Sequence, residues 1–285
     1  MRYDPQSIDK FNDSEKMIIE RLPSLPALAG IRTSKVSIFE WLWPGDRHTG
    51  FELHGWMEGH KPGWSEYVDC PSKEAFFQSL ARLTANTNTD GDFPVLHIES
   101  HGDEHGLEGP GGVIAWEELT HHLAALNEAT KCNLLVVIAA CTGFSALLAL
   151  TQGPRAPAVV IVGPAAELSG GALFAATKQL YSNWSTGNLR LMVDQMSDST
   201  DVLFEFEPFA ALCYESLIDF VVDRFRLAKD LKASAGIAEA VNALPDWKHL
   251  QGMWDHMFFM DRFPVNRERF GLDCQALVDE FIAEI

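Results

Sequence analysis

Three short apolar runs decide most of what this chain of 285 residues can build. They are Val95–Ser100 (VLHIES), Leu134–Ala139 (LLVVIA) and Pro157–Gly163 (PAVVIVG). Each is partly β-branched and closes on small residues, and helix-spaced stretches separate them, which predicts buried strands alternating with helices. Parallel strands joined by right-handed crossovers and covered on both faces follow from that order. Two of the runs end on reactive side chains. The first delivers His101-Gly102 and the second Ala140-Cys141-Thr142-Gly143, so the imidazole and the thiol lie 40 positions apart (141 − 101). Neighbouring parallel strands would bring both to one sheet edge, where open α/β sheets place their sites.

The remaining pattern is read more coarsely. Residues 1–34 form a lead-in with a helix near Ser14–Arg21, and Lys35–Trp43 is a first strand stopped by Pro44-Gly45. A further strand is expected at Phe51–Met57, then helices from Pro71 to about Thr84, from about Trp116 to Ala129, from the Cys141 turn to about Thr151, and over Gly170–Trp184. Beyond Ser197 a long helix is expected over Phe204–Leu231 and a terminal one over Leu272–Ile285. The predicted organisation is a lead-in (1–34), an α/β domain (35–197) and a helical region (198–285), with no internal repeat.

Charge narrows the partners. Forty acidic against 22 basic residues leave a net charge of −18. Such a surface repels phosphate backbones and anionic lipid and steers in a basic protein. The five cysteines (70, 132, 141, 213, 274) are scattered with no CxxC, which argues against a zinc ribbon or a thioredoxin-like site. With no apolar leader at Met1-Arg2-Tyr3-Asp4-Pro5, a reducing cytoplasm is the expected location. The uncharged run Leu134–Pro154 is long enough to span a bilayer, but a β-branched first half and an Ala/Leu second half read better as strand, turn and helix. No membrane insertion and no nucleic acid are expected.

Four stretches in order, HIESHG, GPGGVIAWEELTHHL, VVIAACTG and AVVIVGPAAELSGGALFAATKQLYSNW, resemble the caspase-like cysteine peptidases, and among them the CHAT peptidases. The likeness covers about residues 90–190 and leaves the C-terminal third unmatched. It implies a three-layer αβα fold with a mostly parallel sheet plus C-terminal helices. It also implies an endopeptidase working without metal or organic cofactor on a protein substrate, latent until a partner or self-cleavage switches it on. Cys141 would attack the carbonyl, and His101 would protonate the leaving amine and then activate water. The backbone N–H groups of Gly102 and Cys141 are the candidate oxyanion donors. The family's first pocket maps to Asp46-Arg47, Ala139 and Glu167. Some relatives that cut after basic residues carry an acid two positions before the cysteine, and Ala139 departs from that pattern.

Competing readings share the same residues. Cys141 alone fits a buried core thiol. His101 to His105 matches H-x-x-E-H, but that zinc motif needs a helix, and Gly102 and Gly106 each cost a helix about 1 kcal/mol. His97 reads as a buried structural histidine, His121 and His122 as surface residues of a helix, and Glu99 receives no role. Gly109-Pro110-Gly111-Gly112 reads as a loop beside the cleft, a turn rather than a phosphate cradle. A non-catalytic caspase-like binding module and a thiol hydrolase acting on a non-peptide bond stay open.

Overall fold

The computed structural model describes residues 7–22, 32–145, 154–200 and 204–285. The β-branched runs become the centre of a sheet because burial on both faces suits them. β1 (Val36–Trp41), β3 (Val95–Gly102), β6 (Leu135–Ala139) and β7 (Val160–Pro164) are parallel neighbours, and all but the tip of β3 are buried. β2 (Ser65–Asp69) adds a parallel edge strand beside β1. β8 (Phe204–Pro208) closes the other edge antiparallel to β7, giving the order β2-β1-β3-β6-β7-β8.

Side-chain alternation assigns the faces. On β1, Phe39 and Trp41 pack on Phe76 of α3 (Lys73–Asp90), with ring centroids 5.8 and 6.0 Å apart. Ile38 and Glu40 point the other way, onto Gly50 of α2 (Thr49–His60). α4 (Trp116–Ala129) lies with α3, and α5 (Gly170–Ser182) with α2. The layers are therefore helices, mostly parallel sheet, helices.

Two expectations fail, each for a physical reason. Phe51–Met57 lies in helix α2, not a strand: Leu53 and Met57 are buried one turn apart while Phe51 is exposed. Its N-cap, His48, makes no side-chain capping bond, so no local start signal is written in the sequence. Residues 204–208 are strand rather than the start of a helix, and the helix that follows runs Phe209–Ser234. The alternation Phe-Glu-Phe-Glu was the available signal. The turn expected at Gly109–Gly112 is the bend of a hairpin, β4 (Gly106–Gly109) with β5 (Gly112–Ala115), paired to the tip of β3. Trp41 fixes it: the indole N–H donates to Pro110 O at 3.0 Å, and a Cβ on Gly109 would lie 2.6 Å from the ring.

The helix expected after Cys141 falls largely on residues 146–153, outside those described; Gly143–Ser145 is a single 3-10 turn. The apolar run beginning at Leu134 supplies the buried strand β6, and no helix among the described residues is long and apolar enough to cross a membrane.

The chain forms two compact units, and their division differs from the expected one. One is Gly30–Phe209; the other joins Met1–Ala29 to Ala210–Ile285. The lead-in is thus part of the helical unit. Its helix α1 (Asp13–Arg21) opens with a capping box between Asn12 and Glu15. Buried Glu15 also receives Arg226 Nε and Nη2 at 2.8 and 2.9 Å. Arg21 binds Glu280 and Glu284 on and just beyond the terminal helix Cys274–Ile282.

Candidate active site

The sheet sets the positions of the two reactive side chains. β3 and β6 pair with a constant offset, Val95 with Leu135 through Glu99 with Ala139, a difference of 40. Two residues further along each chain stand His101 and Cys141, which share that offset (141 − 101 = 40). Adjacent strands run about 4.8 Å apart, so the two residues leave neighbouring strand ends on one edge. Close approach continues past the ladder: a Cβ on Gly102 would lie 3.1 Å from Ala140 Cβ and 3.5 Å from Cys141 O. Only glycine fits there without a shift.

Cys141 sits on a tight turn. Gly143 N–H returns to Ala140 O at 3.0 Å, and Thr142 takes the left-handed conformation with φ 51°. Gly143 lies so close to Ile138 that a Cβ would meet its carbonyl oxygen at 2.7 Å. Gly163 of β7 clears space for the same turn, since its Cβ would fall 2.8 Å from Phe144 N. The half-buried thiol is thereby held past the strand, and its Sγ donates to Leu168 O at 3.6 Å. Leu168 belongs to the segment between β7 and α5, which also receives Thr142 N–H at Ala166 O, 3.4 Å away.

His101 is half exposed, and its Nε2 meets Asp46 Oδ2 at 2.8 Å. The same oxygen accepts the Trp43 N–H at 2.9 Å. Burial pushes the Asp46 carboxyl up, but the bonds from His101 and Trp43 and the nearby imidazole charge outweigh it, so the group stays below its ordinary range. Asp46 was expected in the first substrate pocket. The structure instead places it on the ring of His101, because Pro44-Gly45 turns the chain back over the β3 tip. No hydrogen bond joins His101 to Cys141 among the described residues.

The backbone donors follow from strand alternation. Val95 N–H points to β1, where it bonds Lys35 O, and Asp103 N–H bonds Gly106 O in the hairpin. Odd-numbered residues of β3 therefore face β1 and β4, and the N–H of Gly102 turns towards Ala140 and Cys141. Between these elements lies a cleft of about 260 Å³ lined by Gly102, Asp103, Glu104, Thr142 and Glu167. Glu167 is among the lining residues. Ala139 is not: it is 1% exposed and paired in the ladder with Glu99, one residue short of the turn, so it contributes nothing to the cleft.

The other histidines separate cleanly. His97 is fully buried between the Tyr181 hydroxyl and Glu99 Oε1, each 3.0 Å away. His101 to His105 runs as strand end and turn, so its two rings share no helical face. His122 lies tilted against Phe77, ring centroids 4.4 Å apart, and burial pushes its imidazole down. Among the described residues no group of three potential ligands could hold a metal ion.

The remaining thiols are set apart chemically. Burial pushes Cys70 and Cys274 up to about 12, with neighbouring carboxylates adding to it, and burial alone does the same for Cys213. Cys132 is fully buried. The Asp46 contact with His101 escaped sequence reasoning, because it joins residues 55 positions apart and no local signal marks it. No protein-family model matches the chain, and no curated protein matches it in sequence.

Proposed function

We propose that the chain is a cysteine endopeptidase acting on a protein partner through Cys141 and His101. One observation carries the reading: the shared offset of 40 sets the thiol and the imidazole at adjacent strand ends, beside a cleft. Cys141 Sγ attacks the peptide carbonyl and passes its proton to His101. The ring returns that proton to the departing amine, leaving a thioester, and then draws a proton from water to release the acid. The oxyanion that forms twice lies within reach of the Gly102 and Cys141 N–H groups. Asp46 holds Nε2, which keeps the ring oriented and leaves Nδ1 for the chemistry.

A latent resting state fits the same geometry. The thiol proton rests on Leu168 O, and no hydrogen bond joins the sulfur to His101 among the described residues. A small movement of the segment between β7 and α5 is the step that frees the sulfur. Acidic residues in the cleft and the net charge of −18 favour a basic stretch of substrate, and five free thiols fit a reducing cytoplasm.

The test is a panel of diverse fluorogenic peptides and peptide chloromethylketones offered to wild type and Cys141→Ala. Turnover lost in the variant, with the ketone bound at Cys141, is the expected result. Equal turnover by both proteins ends the reading for those substrates. Labelling of Cys141 with no peptide cleaved points to a non-peptide thiol hydrolase.

A further inference from the structure

Glu40 and Glu99 stand opposite each other on β1 and β3 and are each 1% exposed. Their partners among the described residues are backbone N–H groups, hydroxyls and imidazole nitrogens. Glu40 Oε1 receives the N–H of Gly50 at 2.7 Å and of Phe51 at 3.4 Å; its Oε2 receives Tyr67 OH at 2.6 Å and His48 Nδ1 at 2.7 Å. Glu99 receives His97 Nε2 at 3.0 Å and the Thr49 hydroxyl at 2.8 Å. His97 in turn meets Tyr181 OH, completing the polar groups that face the pair. A Cβ on Gly50 would lie 3.0 Å from Glu40 Oε1 and 3.1 Å from Glu99 Cγ, so the helix start presses directly on both carboxylates.

Two buried carboxyl groups side by side are a poor means of stabilising a core, since apolar residues of the same volume serve as well or better. What they provide is a fixed point. The orphan N–H groups and positive end of α2 dock on them in place of a local cap. The segment between Trp41 of β1 and Thr49 of α2 is Leu42–His48, and it carries Asp46. Its far end is tied to Glu40 through His48 and Gly50 and to Glu99 through Thr49. Its middle is closed on itself by the two bonds between Trp43 and Asp46.

We infer that Glu40, with Glu99 beside it, is a positioning residue for His101: the buried pair anchors the start of α2 and thereby fixes the loop that brings Asp46 to the ring. The inference rests on the reading of His101 as the working imidazole, but its first readout does not. Ring signals of isotope-labelled histidine, assigned with His101→Gln, are recorded for wild type, Asp46→Asn, Glu40→Gln and Thr49→Val. The rate of Cys141 alkylation is measured beside them from pH 5 to 9.

Glu40→Gln and Thr49→Val are expected to move the His101 signals towards their Asp46→Asn positions. The alkylation rate falls about 10-fold, in keeping with a displacement of under 1 Å. Asp46→Asn/Glu40→Gln then reacts within about two-fold of Asp46→Asn alone, because coupled residues are not additive. His101 signals that stay at the wild-type positions while the melting temperature drops would overturn the inference. So would single effects that multiply in the double variant, or an Asp46→Asn protein whose His101 signals never move. If Glu40→Gln does not fold, Thr49→Val decides by the same criteria. Moved ring signals with unchanged Cys141 alkylation leave the anchor standing and defeat the peptidase reading.

Discussion

Selective alkylation is the sharpest consequence of the site. The perturbation is brief exposure of the native protein to iodoacetamide at pH 8, followed by mass spectrometry of each cysteine peptide. A thiol at about 12, as for Cys70, Cys213 and Cys274, is ionised in about one molecule in 10⁴ at that pH. A reference thiol near 8.5 is about one quarter ionised, a ratio of about 2 × 10³. The more basic thiolate is the better nucleophile, and a Brønsted slope of about 0.45 over that gap returns a factor of about 40. A net preference of about 50-fold remains, before access is counted, and Cys132 is fully buried. Cys70, Cys213 and Cys274 are therefore expected to be labelled about 50 times more slowly than a free reference thiol in the same mixture, and half-buried Cys141 faster than any of them, with its rate about 10-fold lower in His101→Ala. Labelling of Cys213 at the pace of Cys141, or a His101→Ala protein with undiminished Cys141 labelling, refutes the argument.

Three further outcomes are open to measurement. Asp46→Asn, which replaces the carboxylate 2.8 Å from His101 with a neutral amide, should lower kcat about 10- to 100-fold with KM little changed. Glu15 is held below its ordinary value chiefly by Arg226, with burial opposing, so its contribution is complete above about pH 4.3 and is lost as pH falls through the lower folded value. Glu15→Gln should flatten that acid loss in denaturant titrations, at a cost of about 1.5 kcal/mol at pH 7 because Arg226 is nearly half exposed. Gly109→Ala pushes a methyl to within 2.6 Å of the Trp41 ring, so the melting temperature should fall by an amount matching about 2 kcal/mol.

The central strands were legible because burial on both faces leaves a plain mark, a short β-branched run ended by small residues. The offset of 40 between His101 and Cys141 was visible too, and it proved to be the ladder's own register. What stayed hidden depends on contacts distant in sequence. α2 has no local cap, since its N–H groups are received by Glu40 from another strand, and so its first turns read as an alternating strand. Asp46 looked like a pocket acid because nothing local says that the chain folds back to the β3 tip. Ala139 failed by one residue: the ladder continues to it and the turn begins after it.

The helical unit is assembled from two segments with residues 30–209, a span of 180 (209 − 30 + 1), between them. During synthesis α1 therefore emerges long before anything it binds, and its Glu15 and Arg21 wait for Arg226, Glu280 and Glu284. The sheet unit, contiguous in sequence, has no such delay. A nascent chain arrested once Phe209 has cleared the ribosomal exit tunnel should display a finished sheet with α1 still undocked, and helical-unit protection should arise only when the last turns are released.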